Sequence, residues 1–442
     1  MQKRGDFVQA VSMRSTSVDK DVTMAHSKLA WLVCFIGSLF FFYEFIQMNM
    51  FNAINTNLMR DFNLDASQLG SLSATYFLAN VAFLLPAGAI LDRFSTRKVM
   101  LVSLSICVLG TFLFGLVEST GLAAICRFFT GIGSAFCFLS NVRLATRWFP
   151  AQRIALVTGL IVTMAMVGGM VAQAPLTYLV EAVGWRKALF IDAGLGVVVL
   201  VLIAAIVRDY PPHLHAQAAH DKLALSNIGF FSTTKLAFLN FRNWLCGIYT
   251  CMLNLPIFIL GGFMGTMFLT NVHHISHTKA SFVTMMIFVG TIFGSPLVGW
   301  LSDRIGLRKP PMIIGAILSI LMVLVLIYAQ NVSMSTLMLC FFLLGLFTSS
   351  QVISYPVVSE SNSRLLTAMC VSCVSLTTIG GGALFEPVFG WLLDYHWNGV
   401  MVDGVPLFTA SDYQFAMWLF PIGFAISLAT TYFIRETHCK TE

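Results

Sequence analysis

The chain has 442 residues, of which 57% are hydrophobic and only 10% charged, with a mean hydropathy of +0.82. Soluble domains carry about 25% charged residues, so this composition excludes an ordinary cytosolic protein. The formal net charge of +6 would suit a nucleic-acid partner if the basic residues formed one surface. They are instead shared out between apolar runs, which excludes that partner and makes a lipid bilayer the expected one.

A helix needs about 20 mostly apolar residues to cross about 30 Å of hydrocarbon. Residues 1–27 are polar and mixed. The apolar run after them is too long for a signal core, so no cleavable signal peptide is expected; Met24 offers an alternative start. Twelve apolar runs follow, at 30–56, 68–91, 98–117, 121–146, 154–180, 187–207, 243–270, 280–302, 311–330, 335–358, 366–393 and 413–434. Most are apolar on all sides, which fits helices surrounded by lipid and by one another. The predicted fold is an all-α membrane protein with twelve transmembrane helices in two pseudo-symmetric six-helix bundles. The expected order is a tail (1–27), a first bundle (28–207), a connecting loop (208–242), a second bundle (243–434) and a short tail (435–442). In the loop, Pro211-Pro212 stop the sixth helix. Residues 235–242 (Lys-Leu-Ala-Phe-Leu-Asn-Phe-Arg) predict a short amphipathic helix on the membrane surface.

Basic residues set the orientation. With the N-terminus inside, the inner segments hold 21 Lys and Arg, and the outer segments hold four: Arg60, Arg186, Lys187 and Lys279. Both termini are therefore expected on the cytoplasmic side.

The second run is followed by Gly88-Ala-Ile-Leu-Asp92-Arg93-Phe-Ser-Thr-Arg97-Lys98, and the eighth by Gly299-Trp-Leu-Ser-Asp303-Arg304-Ile-Gly-Leu-Arg308-Lys309. Both are G-x-x-x-D-R-x-x-x-R-K, and they occupy the same place in their respective halves, 211 residues apart. Internal repeats of this kind mark secondary transporters. The repeated Asp is not required by the positive-inside rule.

These loops resemble the signature loop of the major facilitator superfamily, and the resemblance covers nearly the whole chain. Ser95 and Thr96 depart from it, standing where the family often has Gly and Arg. Arg127-Phe-Phe-Thr-Gly131-Ile-Gly133 in the fourth run is similar to the family's R-x-x-x-G motif, and Gly184-Trp185-Arg186 to another common element. The resemblance implies a monomeric alternating-access transporter of a bacterial inner membrane, not an enzyme. It also implies that Gly88, Asp92, Arg93, Arg97, Gly299, Asp303, Arg304 and Arg308 form gating loops that hold the inner face closed. Family exporters often carry G-x8-G-x3-G-P-x2-G-G in span five. Gly159 and Gly168 fit its start, but Ala172-Gln173 and Leu176-Thr177 replace the rest, which favours uptake over proton-antiport export.

Glu44 lies near the middle of the first run, where a carboxylate costs about 2.5–3.5 kcal/mol on insertion scales. Arg127 in the fourth run is within plausible reach if the two helices pack together. A Glu44–Arg127 couple linked to proton movement is one reading, and a static structural ion pair is the other. Glu386 lies in Gly380-Gly-Gly-Ala-Leu-Phe-Glu386-Pro387, where glycines and proline predict a locally broken helix. Tyr43, Gln47, Asn80, Gln173, Asn254, Gln351, Tyr355 and Glu386 are the candidate contacts for a small polar solute, although each is equally suited to joining helices. Asn254 with Pro256 and Gly261-Gly262 predicts a bend in the seventh run. His273, His274 and His277, and the Cys370–Cys373 pair, lack the converging ligands a metal site needs. No nucleotide-binding loop is present, so the expected energy source is a proton gradient, with no cofactor. The expected cargo is an amino acid, peptide or carboxylate carried by symport; the alternative is export or exchange of a metabolite, siderophore or drug-like compound.

Overall fold

The structure, a computed structural model, describes residues 28–149, 151–211, 238–328, 332–362 and 367–438. Twelve helices in it are long and apolar enough to cross a membrane: α1 (Lys28–Phe62), α2 (Ala66–Gly88), α3 (Thr96–Phe114), α4 (Thr120–Trp148), α5 (Leu156–Val183), α6 (Trp185–Ile206), α7 (Phe241–Gly261), α8 (His277–Ile305), α9 (Lys309–Tyr328), α10 (Met334–Glu360), α11 (Cys370–His396) and α12 (Ala410–Phe433). Each expected run has its helix. The largest differences have local causes. α1 turns at Met50 and resumes as Phe51–Phe62, so it outlasts the expected end at 56. α7 closes in a π-helical turn, Ile257–Gly261, just after Pro256, where the proline removes a backbone donor. The rest of that run is a separate helix, Gly265–His273. The loop at 212–237, with residues 235–237 of the expected surface helix at 235–242, lies outside the described residues; of the rest, Phe238 and Leu239 are helical, Asn240 is an N-cap, and Phe241 already opens α7.

Local chemistry sets the helix ends. α2 opens with a capping box, in which Asp65 Oδ1 accepts from Gln68 N at 2.6 Å and Gln68 Oε1 accepts from Asp65 N at 3.1 Å. Ser95, Ser119, Ser276 and Ser333 accept from the first turns of α3, α4, α8 and α10. Gly184, at φ 83°, makes the turn from α5 into α6, a left-handed conformation that a side chain would strain.

Short connections make successive helices antiparallel within each half, and the ends of α1 and α7 meet, with Asn52 N donating to Gly262 O at 3.0 Å, so both G-x-x-x-D-R-x-x-x-R-K loops lie at one end of the molecule, the basic end. The other is the far end. Among the described residues, spanning helices are interrupted at Met50 in α1, Ala135-Phe136 in α4, Ala172-Gln173 in α5, Ile257–Gly261 in α7, the 3-10 turn Ser349–Ile353 in α10 and Trp418 in α12. Displaced by the 211-residue spacing of the loops, Met50 falls on Gly261 and Phe136 on Phe347. α1 and α7, and α4 and α10, are thus broken at corresponding places in the two halves. α11 is not broken. Despite Gly380–Gly382 and Pro387, it is helical throughout. Its glycines instead allow close approach to α2: a Cβ on Gly382 would lie 2.9 Å from the Phe77 ring and one on Gly390 2.3 Å from Ala66 O.

The two halves meet along α2–α11 and α5–α8. On the outer surface Leu109, Val197, Val201, Leu321 and Val325 are exposed. In water such surface would be an association hazard; facing lipid it is matched to its surroundings.

Candidate transport site

The halves are joined on the far side of the helix breaks. Asn52, just past the break in α1, donates Nδ2 to Gln173 Oε1 at 2.6 Å and to Thr284 Oγ1 at 3.3 Å. Its Oδ1 accepts from Thr266 N at 3.0 Å. Asn55 donates to Phe263 O at 3.0 Å. Gln173 stands in the α5 break at φ −89°, ψ −110°, and donates Nε2 to Gly261 O at 2.6 Å. Thr284 Oγ1 donates to Gln173 Oε1 at 2.8 Å. Nearer the far rim, Asp394 of α11 accepts from Ser67 N at 2.7 Å and Ala66 N at 3.2 Å, and Glu181 accepts from Thr278 Oγ1 at 2.5 Å. Toward the basic end, a Cβ added to Gly159 of α5, Gly299 of α8 or Gly380 of α11 would meet nothing within 4 Å. The halves are therefore fastened to each other at the far end.

Glu44, Glu386, Asp192 and Arg127 are buried at mid-span, none more than 5% exposed. Glu44 Oε1 accepts from Tyr76 OH, and Oε2 has no partner. The Arg127 guanidinium lies between two rings, 4.7 Å from the Phe51 centroid and 4.6 Å from that of Tyr76. Its Nη1 donates to Gln47 O at 2.9 Å, while Nε and Nη2 have no partner. Neither oxygen of Glu386 is hydrogen-bonded; Ser73 faces it without a bond of good geometry. Arg127 lies in the field of both Glu44 and Glu386. One arginine with two unpaired nitrogens thus feels an acid from each half. Glu44 and Arg127 share a pocket, as the sequence suggested, but they are not hydrogen-bonded to each other; Tyr76 touches both. Gly131 makes this possible: a Cβ there would lie 2.1 Å from Tyr76 O. The glycine of R-x-x-x-G lets α4 press onto α2 and seats Arg127 over the tyrosine ring.

The other expected contacts fall into separate places. Tyr43 and Gln47 face α3 and α6. Gln47 donates Nε2 to Asp192 Oδ2 at 2.5 Å and accepts from Thr111 Oγ1 at 2.7 Å. Asn80 donates to Ser134 Oγ at 2.5 Å, tying α2 to α4. Asn254 and Gln351 exchange amide hydrogen bonds between α7 and α10, with half-buried Tyr355 one turn on. Gln173 belongs to the far-end seal. Tyr76, Asn52 and Asp192 went unrecognised in the sequence. Asp192 had a readable signal, a lone acid in the apolar stretch Phe190-Ile191-Asp192-Ala193. Tyr76 had a weaker one, its position one helical turn from Asn80.

At the basic end the two repeated loops are held alike. Asp209, just past α6, accepts from Arg97 N at 2.7 Å; Glu436, just past α12, accepts from Arg308 N at 2.7 Å and Lys309 N at 2.8 Å. The parallel is written as Val207-Arg208-Asp209 and Ile434-Arg435-Glu436. Burial works against the Glu436 charge, but backbone donors from Arg308, Lys309 and His438, with the His438 charge, bring its carboxyl below the ordinary glutamate value. Arg308 donates to Glu360 of α10 through Nη2 at 2.6 Å and Nε at 3.2 Å, and to Asp303 through Nη1 at 2.6 Å. Arg97 donates Nη2 to Ala204 O. Arg93 and Arg304 are exposed, Arg304 lying over the Trp300 ring. These bonds of Arg97 and Arg308 stay within one half. The Asp92 side chain lies outside the described residues.

The Major Facilitator Superfamily profile matches residues 36–263 and again 246–441. The chain is 25% identical to the probable galactarate/D-glucarate transporter GudP of Escherichia coli K12 over 352 residues, covering 72% of this chain and 76% of that protein. It is 24% identical to the 4-hydroxybenzoate transporter PcaK of Acinetobacter baylyi over 440 residues, covering 89% and 91%. Among solved structures it is similar to a D-xylose-proton symporter, with TM-score 0.72, 15% identity, and 93% and 99% of the two chains covered. A bacterial homologue of the lysosomal transporter Spinster, inward-facing and occupied, has TM-score 0.71, 16% identity, and 91% and 96% covered. The repeated match, the two broken-helix bundles and the paired basic loops agree: the chain belongs to the Major Facilitator Superfamily and is a membrane transporter, not an enzyme.

Proposed function

We propose that the protein is a proton-coupled symporter that takes up a small organic carboxylate by alternating access. In this reading it works as a monomer in a bacterial inner membrane, with both termini cytoplasmic and the basic end facing the cytoplasm. The observation that carries the reading is Arg127, buried with Nε and Nη2 unpaired and within the field of Glu44 and Glu386. A guanidinium fork matches a carboxylate geometrically, and an uncompensated charge at membrane depth is costly. Protonation of Glu44 withdraws its charge from Arg127 and leaves the guanidinium to a substrate anion. Loss of that proton returns the arginine to the protein's own acids and weakens its hold on the substrate. The names of two relatives, a galactarate/D-glucarate and a 4-hydroxybenzoate transporter, both specify organic carboxylates, which supports the substrate class. The 21-to-four partition of basic residues supports the orientation. Export by antiport has Gly159 and Gly168 in its favour, but Gln173 stands where the exporter motif needs its Gly-Pro and is part of the far-end seal.

The test is uptake of labelled 4-hydroxybenzoate and D-glucarate into proteoliposomes under an inward proton gradient. Accumulation of one of them, collapsed by a protonophore, is expected. Glu44→Gln should abolish accumulation while leaving exchange across the membrane intact. Accumulation undiminished in the variant, or uptake in the parent protein indifferent to the gradient, would overturn the reading.

A further inference from the structure

Asp192 takes no part in the chemistry above, yet its surroundings are specific. It lies on α6, 5% exposed, and its recorded hydrogen bond is the one donated by Gln47 Nε2. The Oε1 atom of Gln47 faces Thr111, from which it accepts at 2.7 Å. One amide donor meets the carbonyl oxygen of a neutral carboxylic acid, whose own O–H then needs only an acceptor. It does not satisfy a buried carboxylate, which needs further donors or a counter-charge.

A second donor waits beside it. Tyr43 is completely buried, and its hydroxyl makes no hydrogen bond of good geometry, with Thr111 facing it; a buried donor left in this way is costly. Its ring lies against Gly196, one turn along α6 from Asp192: a Cβ on Gly196 would fall 2.8 Å from the Tyr43 hydroxyl. Tyr43 and Gln47 are four residues apart on α1, so both present to the same face of α6. The same Gln47 offers its backbone carbonyl to Arg127 at 2.9 Å. Of the titratable and charged groups, Tyr43 on α1 acts on Asp192 and Cys107 on α3 acts on Tyr43, while Arg127 on α4 reaches the pair through the Gln47 backbone. Arg186 is engaged with Gly115 O and Val117 O at the far end.

We propose that Asp192 is a second proton-binding group of the transport cycle, neutral when held by Gln47 alone and ionised when Tyr43 also donates to it. A small sliding of α1 along α6 exchanges the two arrangements, and Gln47 carries that movement to Arg127. The proposal deepens the proton-coupled reading and rests on it for its role in transport, but the titration of Asp192 stands apart from any substrate.

The experiment is pH-difference infrared spectroscopy of the purified protein in lipid without substrate, read at the protonated-carboxyl C=O stretch. Asp192→Asn should lose one titrating band, and Tyr43→Phe should shift that same band. Both variants keep the shape of the site, and a parent-like thermal unfolding curve checks this. A difference spectrum identical in D192N and the parent overturns the proposal. A band lost in D192N but unmoved in Y43F overturns the second-donor arrangement. A companion measurement reads coupling: each proton carried adds about tenfold accumulation per pH unit of gradient, so 4-hydroxybenzoate accumulation should fall by about that factor in D192N. Gradient-independent uptake in the parent protein would instead count against the symport reading and leave the infrared result standing.

Discussion

Replacing Asn52 by alanine removes the donor to Gln173 and Thr284 and the acceptor for Thr266 N. All three partners are buried, and two of them, Thr266 and Thr284, belong to the second half. The bonds to that half exist while the far end is closed and are broken when it opens, so their loss falls on the closed state. A net hydrogen bond contributes about 1 kcal/mol, and a donor or acceptor left buried and unpaired costs about 1–3 kcal/mol. The far-closed state should therefore lose about 2–4 kcal/mol relative to the far-open state, a shift of about thirty- to a thousandfold in their ratio. Spin labels at Val183 and Lys279, at the far ends of α5 and α8, report the separation by pulsed dipolar spectroscopy. The Asn52→Ala distribution should gain a long-distance population that the parent lacks. An unchanged distribution in a correctly folded variant would refute the assignment of the seal to this amide cluster.

Arg308→Ala leaves Glu360 facing a buried site without its cation, and breaking a buried pair this way costs about 3–5 kcal/mol; thermal unfolding in lipid should show a large loss, and Glu360→Gln a smaller one. Glu436 gives a pH signature. Its folded-state value lies below the ordinary glutamate value, so its contribution is complete above that ordinary value and is lost as pH falls through the lower folded one. The stability gap between the parent and Glu436→Gln should therefore be largest near neutrality and close in acid; a gap independent of pH would contradict the assignment.

The architecture was legible because its signals are long: twelve apolar runs, and a motif repeated at one spacing. Helix breaks were legible where backbone chemistry announced them, as at Pro256. They were misplaced where glycines served another purpose, as in α11, since a glycine that bends a helix and one that admits a neighbour look the same in one dimension. The site was partly legible. Glu44, Arg127 and Glu386 stood out because a charge in an apolar run needs a reason. Tyr76 and Asn52 did not, because a hydroxyl or an amide is unremarkable in a membrane helix until its partner is known. Gln173 was noticed for its polarity, but its place in the seal depends on contacts with α1, α7 and α8 that no local pattern encodes.

The carboxylates of Asp209 and Glu436 have a mechanical consequence. Each fastens the tail of its half's sixth helix to the first turn of that half's third. A bundle strapped in this way resists shear at its base, so a torque applied at one helix turns all six together. Compliance is left to the interface between the bundles and to the interrupted turns of α1, α4, α5, α7, α10 and α12. The molecule is then best pictured as two stiff blocks on a soft joint, with the stiffness set by one acidic side chain at the foot of each.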